Sequence, residues 1–299
     1  MTGRKSYPNL VAYLFMLPWL LGLFIFTVGP MISSIYLSFT RFELLVPASW
    51  IGLQNYIDIL FHDDRFYKAV KVTFLFVLLS VPLKLSFSLA VAMLLNRGIR
   101  AISLYRTLFY LPSLIGGSVA VAVMWRQIFD EEGLVNQVLG IFNIKGALWI
   151  SNPSYAIYTI ILLAVWQFGS SMVIFLAGLK QIPDHLYEAS AIDGANKWLQ
   201  FIKITVPMLS PVIFFNLIMQ MIGGFMVFTQ GFIITKGGPM DSTLFYAIYL
   251  YEKGFTYFQM GYASALAWIL LFIIGLFTFI FFKGSKHWVF YEDDGGKTP

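Results

Sequence analysis

The sequence predicts an all-α, polytopic integral membrane protein with six transmembrane helices and both termini cytoplasmic. Three observations lead there. Of 299 residues, 59% are hydrophobic and 12% charged, with a mean hydropathy of +0.76, which is far too apolar for a water-soluble domain. Six apolar stretches, near 10–39, 72–95, 104–128, 155–179, 208–235 and 261–282, reach or exceed the roughly 20 residues a spanning helix needs. With the N-terminus inside, the cytoplasmic segments hold the larger share of Lys and Arg, while the longer outer loops hold most of the acidic residues. That distribution accounts for the net charge of +5 without invoking nucleic acid. The absence of cysteine excludes disulfides and thiolate metal sites.

Arg4 and Lys5 precede the first apolar run, which lacks a small-residue cleavage site and so reads as an uncleaved first helix rather than a signal peptide. Beyond it, Leu53, Tyr56, Ile57 and Leu60 form a short apolar face, predicting a surface helix at the outer interface. In the second span Ser80, Lys84 and Ser88 are four apart and share one face. An ionisable residue inside a span is a functional candidate, although it can also neutralise a partner or snorkel. Asn96, Arg97, Gly98 and Arg100 make a short basic inner turn. After the third span, Leu134, Val135, Val138, Leu139 and Phe142 predict an amphipathic outer helix. Asp130, Glu131 and Glu132 before it are adjacent rather than opposed, as in a solvated helix start. Gly237-Gly238-Pro239 marks a turn after the fifth span. The aromatic-rich stretch 244–257 is interrupted by Glu252, Lys253 and Gly254, so it is expected to lie along the outer surface.

Between the fourth and fifth spans, residues 180–211 are too polar to cross. Lys180, Asp184, Glu188, Asp193, Lys197 and Lys203 would each cost roughly 2.5–3.5 kcal/mol at the bilayer centre. Two short helices outside the lipid are predicted. Pro183 suits the first turn of one, and Gly194 suits a left-handed cap at its end. The other runs from about Ala195 to Thr205, with Trp198, Leu199, Ile202 and Val206 on one face and Pro207 and Pro211 beyond. In the flanking spans, Asn216, Gln220, Gly223, Gly224 and Val227 form one stripe, and Gln167, Ser170 and Ser171 another. Polar groups there either line a solute path or bond across helix interfaces. Gln167, Ser170, Asn216, Gln220 and Gly224 are the candidate path residues.

Glu188-Ala189-Ser190, Gly194 and Pro207 stand in the register of the EAA loop (E-A-A, three residues, G, nine residues, I-x-L-P), and on them the chain resembles the permease subunits of binding-protein-dependent ABC importers. Ser190 and Val206 depart from the pattern by residues of similar size. The segments 52–56 (GLQNY), 237–243 (GGPMDST) and 260–268 (MGYASALAW), with Leu111-Pro112, resemble the maltose-like, carbohydrate-importing branch and extend the likeness to nearly the whole chain. The resemblance implies a domain plan of 1–67 (N-terminal tail, first helix and outer loop), 68–283 (transmembrane core) and 284–299 (cytoplasmic tail). It implies that Glu188, Ala189, Ser190, Asp193, Gly194 and Pro207 couple to a cytoplasmic ATPase. It further implies a second homologous permease, two ATPase subunits, an extracellular solute-binding protein, the plasma membrane of a prokaryote, and a sugar cargo, an oligosaccharide being favoured.

No catalytic, metal or cofactor site is expected in the chain itself; ATP would be used by the partner ATPase. Gly296-Lys297-Thr298 lacks the earlier glycine of a P-loop, because Tyr291 stands there. His62, His185 and His287 have no metal-ligand spacing. An ion-coupled secondary transporter is the alternative. It would favour discontinuous helices, internal repeats and intramembrane carboxylates, but the spans contain no Asp or Glu in their apolar interiors and no clear repeat.

Overall fold

The computed structural model describes residues 8–44, 46–96 and 102–290; Arg4, Lys5, Arg97, Gly98, Arg100 and the tail beyond 290 lie outside the described residues. Among the described residues four helices are long and apolar enough to cross a membrane, or up to six if each of two bent pairs is one span. The chain divides into two compact units, Met1–Asp63 with Leu250–Leu271 and Asp64–Tyr249 with Phe272–Pro299.

The first unit begins with α1 (Pro8–Leu23), which passes through a π-helical turn, Phe24–Val28, into α2 (Gly29–Ser38). A two-stranded antiparallel ribbon follows, β1 (Thr40–Glu43) on β2 (Val46–Trp50). Next comes α3 (Gln54–Phe61). It is the surface helix expected, with its apolar face turned outward. Leu53, Ile57 and Leu60 are exposed while Asn55 and Ile59 are buried. The polar residue decides this: Asn55 Nδ2 donates to the Ser38 and Thr40 carbonyls at 2.8 and 2.9 Å. Those two bonds bring the chain leaving α2 back onto α3.

The second unit is organised on α4 (Asp64–Leu95). Around it the chain runs as α5 (Ile102–Ile115), α6 (Val119–Ile128), α7 (Leu134–Ile141), α8 (Ala156–Trp166), α9 (Gly169–Leu179), α10 (Asp184–Ile192), α11 (Lys197–Gln200), α12 (Val206–Phe225) and α13 (Thr229–Ile234). Then come α14 (Tyr246–Tyr251) and α15 (Met260–Ser285), whose end from Phe272 belongs to this unit. α4 packs on α8, α9 and α12, around a core that includes Val81, Leu85, Met172, Phe175 and Leu209.

Two predicted spans are broken. The stretch 104–128 is two helices, α5 and α6, meeting at 98°, and α8 meets α9 at 42°. Gly116 and Gly117 release the first, and Ser118 caps α6 through its Oγ, which accepts from the Val121 amide. The second, at Gln167-Phe168, has no Gly or Pro inside the break itself, so periodicity carried straight through it.

The first part of the aromatic stretch 244–257 is a further correction, although Phe255 and Tyr257 are exposed as expected. Leu244, Phe245, Tyr246, Ile248 and Tyr249 are core residues with at most 1% exposure rather than surface. Phe245 and Tyr246 set their rings edge-on to Phe76 and Phe66 of α4, and the Tyr246 amide donates to Thr73 Oγ1 at 2.8 Å. The turn ahead of them is tied to the start of α4. Arg65 donates to both Asp241 carboxylate oxygens at 3.1 and 3.0 Å, and those bonds hold that carboxyl below its usual range.

Candidate functional site

Two features of the second unit have the makings of a site. The first is a cavity of about 290 Å³ between α4, α8, α12 and α13. Ser80 and Lys84 face it from α4, Gln167 from the end of α8, and Gln220, Gly223 and Gly224 from α12, with Thr229 and Gln230 on α13. The backbone breaks at this level twice, at Gln167-Phe168 and at Met226–Phe228, between the ends of adjacent helices. Irregular backbone is tolerated at membrane depth where it is buried in protein or lines a cavity, because there its polar groups find partners. At the first break those partners are side chains. Ser113 Oγ donates to the Gln167 carbonyl at 3.1 Å and accepts from the Ser170 amide at 2.9 Å. Ser88 Oγ reaches the Phe168 carbonyl at 3.0 Å. Gln167 Nε2 donates to the Gly116 carbonyl at 3.1 Å, so it also holds the α5–α6 break.

The stripes read from the sequence separate here. Gln167, Gln220 and Gly224 line the cavity. Ser170 stands behind it on Ser113, and Asn216 is 1% exposed, its Nδ2 donating back to the Val212 carbonyl at 3.0 Å. Gln220 Nε2 donates to the buried Ser171 Oγ at 3.2 Å. Both glutamines therefore combine interhelical bonding with a cavity-facing position. Lys84, Thr229 and Gln230 complete the polar lining. The last two carried no sequence signal, because only the break after α12 turns them inward.

The second feature is the loop 183–207. Pro183, extended at φ −64° and ψ 133°, precedes α10. Gly194 closes it at φ +81°, with the Ala195 amide bonded to the Ser190 carbonyl at 2.9 Å and the Gly194 amide to that of Ala191 at 3.1 Å. That pair is the Schellman arrangement, which needs a left-handed residue at the position of Gly194. Asn196 then caps α11, its Oδ1 accepting from the Leu199 amide at 2.8 Å. The second helix does not stop near Thr205 as predicted. It runs through a π-helical turn, Phe201–Thr205, directly into α12, so the wider π turn lies just ahead of Pro207, which has no amide hydrogen to give to the ladder. Ser190, where the pattern has alanine, is used: its Oγ donates to the Tyr187 carbonyl at 2.9 Å and accepts from Gln200 Nε2 at 3.0 Å. Leu186, Tyr187 and Ile204 pack the loop onto the core. Glu188, Ala189, Asp193 and Gly194 stay exposed, beside Ile192 and Trp198 at 88% and 69% exposure.

A mostly helical membrane protein with a polar cavity at its helix breaks and an exposed, small-residue loop is the architecture of a transport subunit. Residues 7–285 match the family described as "Binding-protein-dependent transport system inner membrane component", and the chain belongs to that family. It is 53% identical over 287 residues, 95% of this chain and 93% of the relative, to "Probable ABC transporter permease protein YesP" of Bacillus subtilis (strain 168). It is 34% identical to "Arabinooligosaccharides transport system permease protein AraP" of the same strain, covering 95% and 90% of the two chains. A bacterial alginate-importing ABC transporter chain superposes with a TM-score of 0.81 over 93% of this chain and 96% of that one, at 22% identity, a likeness of fold.

Proposed function

We propose that this chain forms half of the membrane channel of an ATP-driven importer that takes up a sugar, an oligosaccharide being favoured, delivered by an extracellular solute-binding protein. The observation that carries the reading is the loop 183–207, whose Gly194 cap leaves Ala189, Ile192 and Gly194 exposed on a surface braced from behind by Gln200 and Tyr187. Small residues let a partner helix or cleft approach the backbone, and Glu188 and Asp193 supply charge for register. Each bent pair counts as one span, which makes six, with both termini and this loop on the cytoplasmic side of a prokaryotic plasma membrane. Residues 68–283 form the transport core, between 1–67 and 284–299. A second homologous permease completes the channel, and two cytoplasmic ATPase subunits bind and hydrolyse the ATP, this chain holding no cofactor of its own. The arabino-oligosaccharide named for one relative supports the sugar assignment. Family membership favours this reading over ion coupling; the discontinuous helices that ion coupling would favour do occur, but the six apolar stretches hold no Asp or Glu to serve as coupling groups.

Gly194→Trp tests it. A Cβ at Gly194 meets nothing within 4 Å in this chain, but the φ of +81° is unfavourable to any side chain. The variant is expected to insert and pair with the second permease while losing the co-purifying ATPase and sugar uptake. Normal ATPase recovery together with normal uptake would sink the assignment.

A further inference from the structure

Lys84 is a cation inside a spanning helix, half-buried and facing the cavity beside Ser80, Gln167 and Gln220. Every other polar side chain lining that cavity is an amide or a hydroxyl, and no carboxylate lines it. Among the described residues no hydrogen bond or ion pair reaches the Lys84 ammonium. Ser88, one turn further along α4, bonds the Lys84 backbone carbonyl at 2.6 Å rather than its side chain. A charge in a span is retained where it faces water or finds a partner. A cavity of about 290 Å³ is large enough to admit water to it. When a solute enters and displaces that water, neutral hydroxyls leave the ammonium's charge uncompensated, whereas an anionic oxygen compensates it with a charge-assisted bond.

Building on the sugar-importer reading, we propose that Lys84 is a specificity-determining residue that selects an oligosaccharide bearing a uronic-acid carboxylate, while Gln167 and Gln220 engage its neutral hydroxyls. The cavity, about 290 Å³, is at the low end of ligand-pocket sizes, so it reads one end of the chain of sugars at a time. Lysine suits a path better than arginine would. Its compact charge on a flexible stem follows a moving carboxylate, where a planar fork would hold it in a fixed two-point geometry.

The test uses the purified permease complex without its binding protein, so that the binding protein's own selectivity does not enter. The probes are a uronic-acid trisaccharide and its methyl ester, which keeps the skeleton and removes the charge; binding is followed by calorimetry. The acid is expected to bind the wild-type complex about tenfold or more tighter than the ester, the scale of one charge-assisted hydrogen bond. Lys84→Met should bring the ratio to about one, and Lys84→Arg should retain a preference for the acid. Equal binding of acid and ester by wild type, or a preference that survives in Lys84→Met, overturns the proposal. So does loss of the second permease from Lys84→Met but not from Lys84→Arg, which would assign the ammonium to a pair between subunits. Binding of neither probe, acid or ester, by a complex that still hydrolyses ATP would remove the sugar-path reading itself, a different failure.

Discussion

Gln167 and Gln220 face the same cavity yet answer differently to the same substitution. Gln167 donates to a backbone carbonyl at a helix break, and a carbonyl there has no intrahelical donor to fall back on. Gln220 donates to a serine hydroxyl, which can rotate and bond a carbonyl one turn back in its own helix. Gln167→Leu is therefore expected to cost about 1–3 kcal/mol and to lower both uptake and the thermal stability of the detergent-solubilised complex. Gln220→Leu is expected to lower uptake with stability within about 1 kcal/mol of wild type, the usual scale of interhelical side-chain bonds in membranes. Equal losses of stability in the two variants would mean that Gln220 acts as structural glue. Both glutamines were recognisable from the sequence, since an amide in a span is conspicuous. Which one holds a break was not, because Gly116 is 51 residues away from Gln167.

At the scale of elements, glycines divide into those that permit packing and those that face open space. A Cβ on Gly169, at the start of α9, would collide with the Phe109 carbonyl oxygen and stand 2.7 Å from Tyr110 Cα and 2.9 Å from Ser113 Oγ, all on α5. Backbone cannot swing aside as a side chain can, so Gly169→Ala forces α5 and α9 apart and should destabilise by about 1–3 kcal/mol. Gly223 meets nothing within 4 Å, so Gly223→Ala on the cavity wall should leave stability within about 0.5 kcal/mol of wild type. Thermal unfolding of both variants in detergent checks the pair; a tolerated Gly169→Ala would show that the α5–α9 crossing is not close-packed. Nothing local separates these two glycines in the sequence, because the α5 backbone that Gly169 meets is about 60 residues away along the chain.

For the whole molecule the open quantity is orientation, and the chain is suited to measuring it because it has no cysteine. Single cysteines at exposed positions then report sidedness against a silent background. Ile141→Cys, at the end of α7, is expected to react with a membrane-impermeant maleimide on intact cells. Ile192→Cys and Lys286→Cys are expected to react only after permeabilisation. Ile141 and Ile192 are 77% and 88% exposed and Lys286 is exposed, so access is not limited by burial in this chain. Labelling of Ile192→Cys from outside would place the loop 183–207 away from any cytoplasmic ATPase and invert the assignment.

Several features were determined by the sequence alone. Composition made the chain a membrane protein, and the apolar runs located four helices long enough to span and two bent pairs, because burying a helix in lipid requires about 20 apolar residues whatever the partners. The cap of the loop was legible because its signal is local: Gly194 takes the left-handed backbone that closes α10, a requirement that acts within a few residues, whereas the run of helix on past Pro207 was not. Tertiary structure alone decided what depends on contact between distant segments. It seated α3 on Asn55, turned the stretch around Phe245 inward, broke α8 from α9, and gathered Lys84, Gln167 and Gln220 around one cavity. Hydropathy treats lipid and protein interior as the same apolar medium, so it cannot say which face of a spanning helix meets a neighbour and which meets a cavity; only packing distinguishes them.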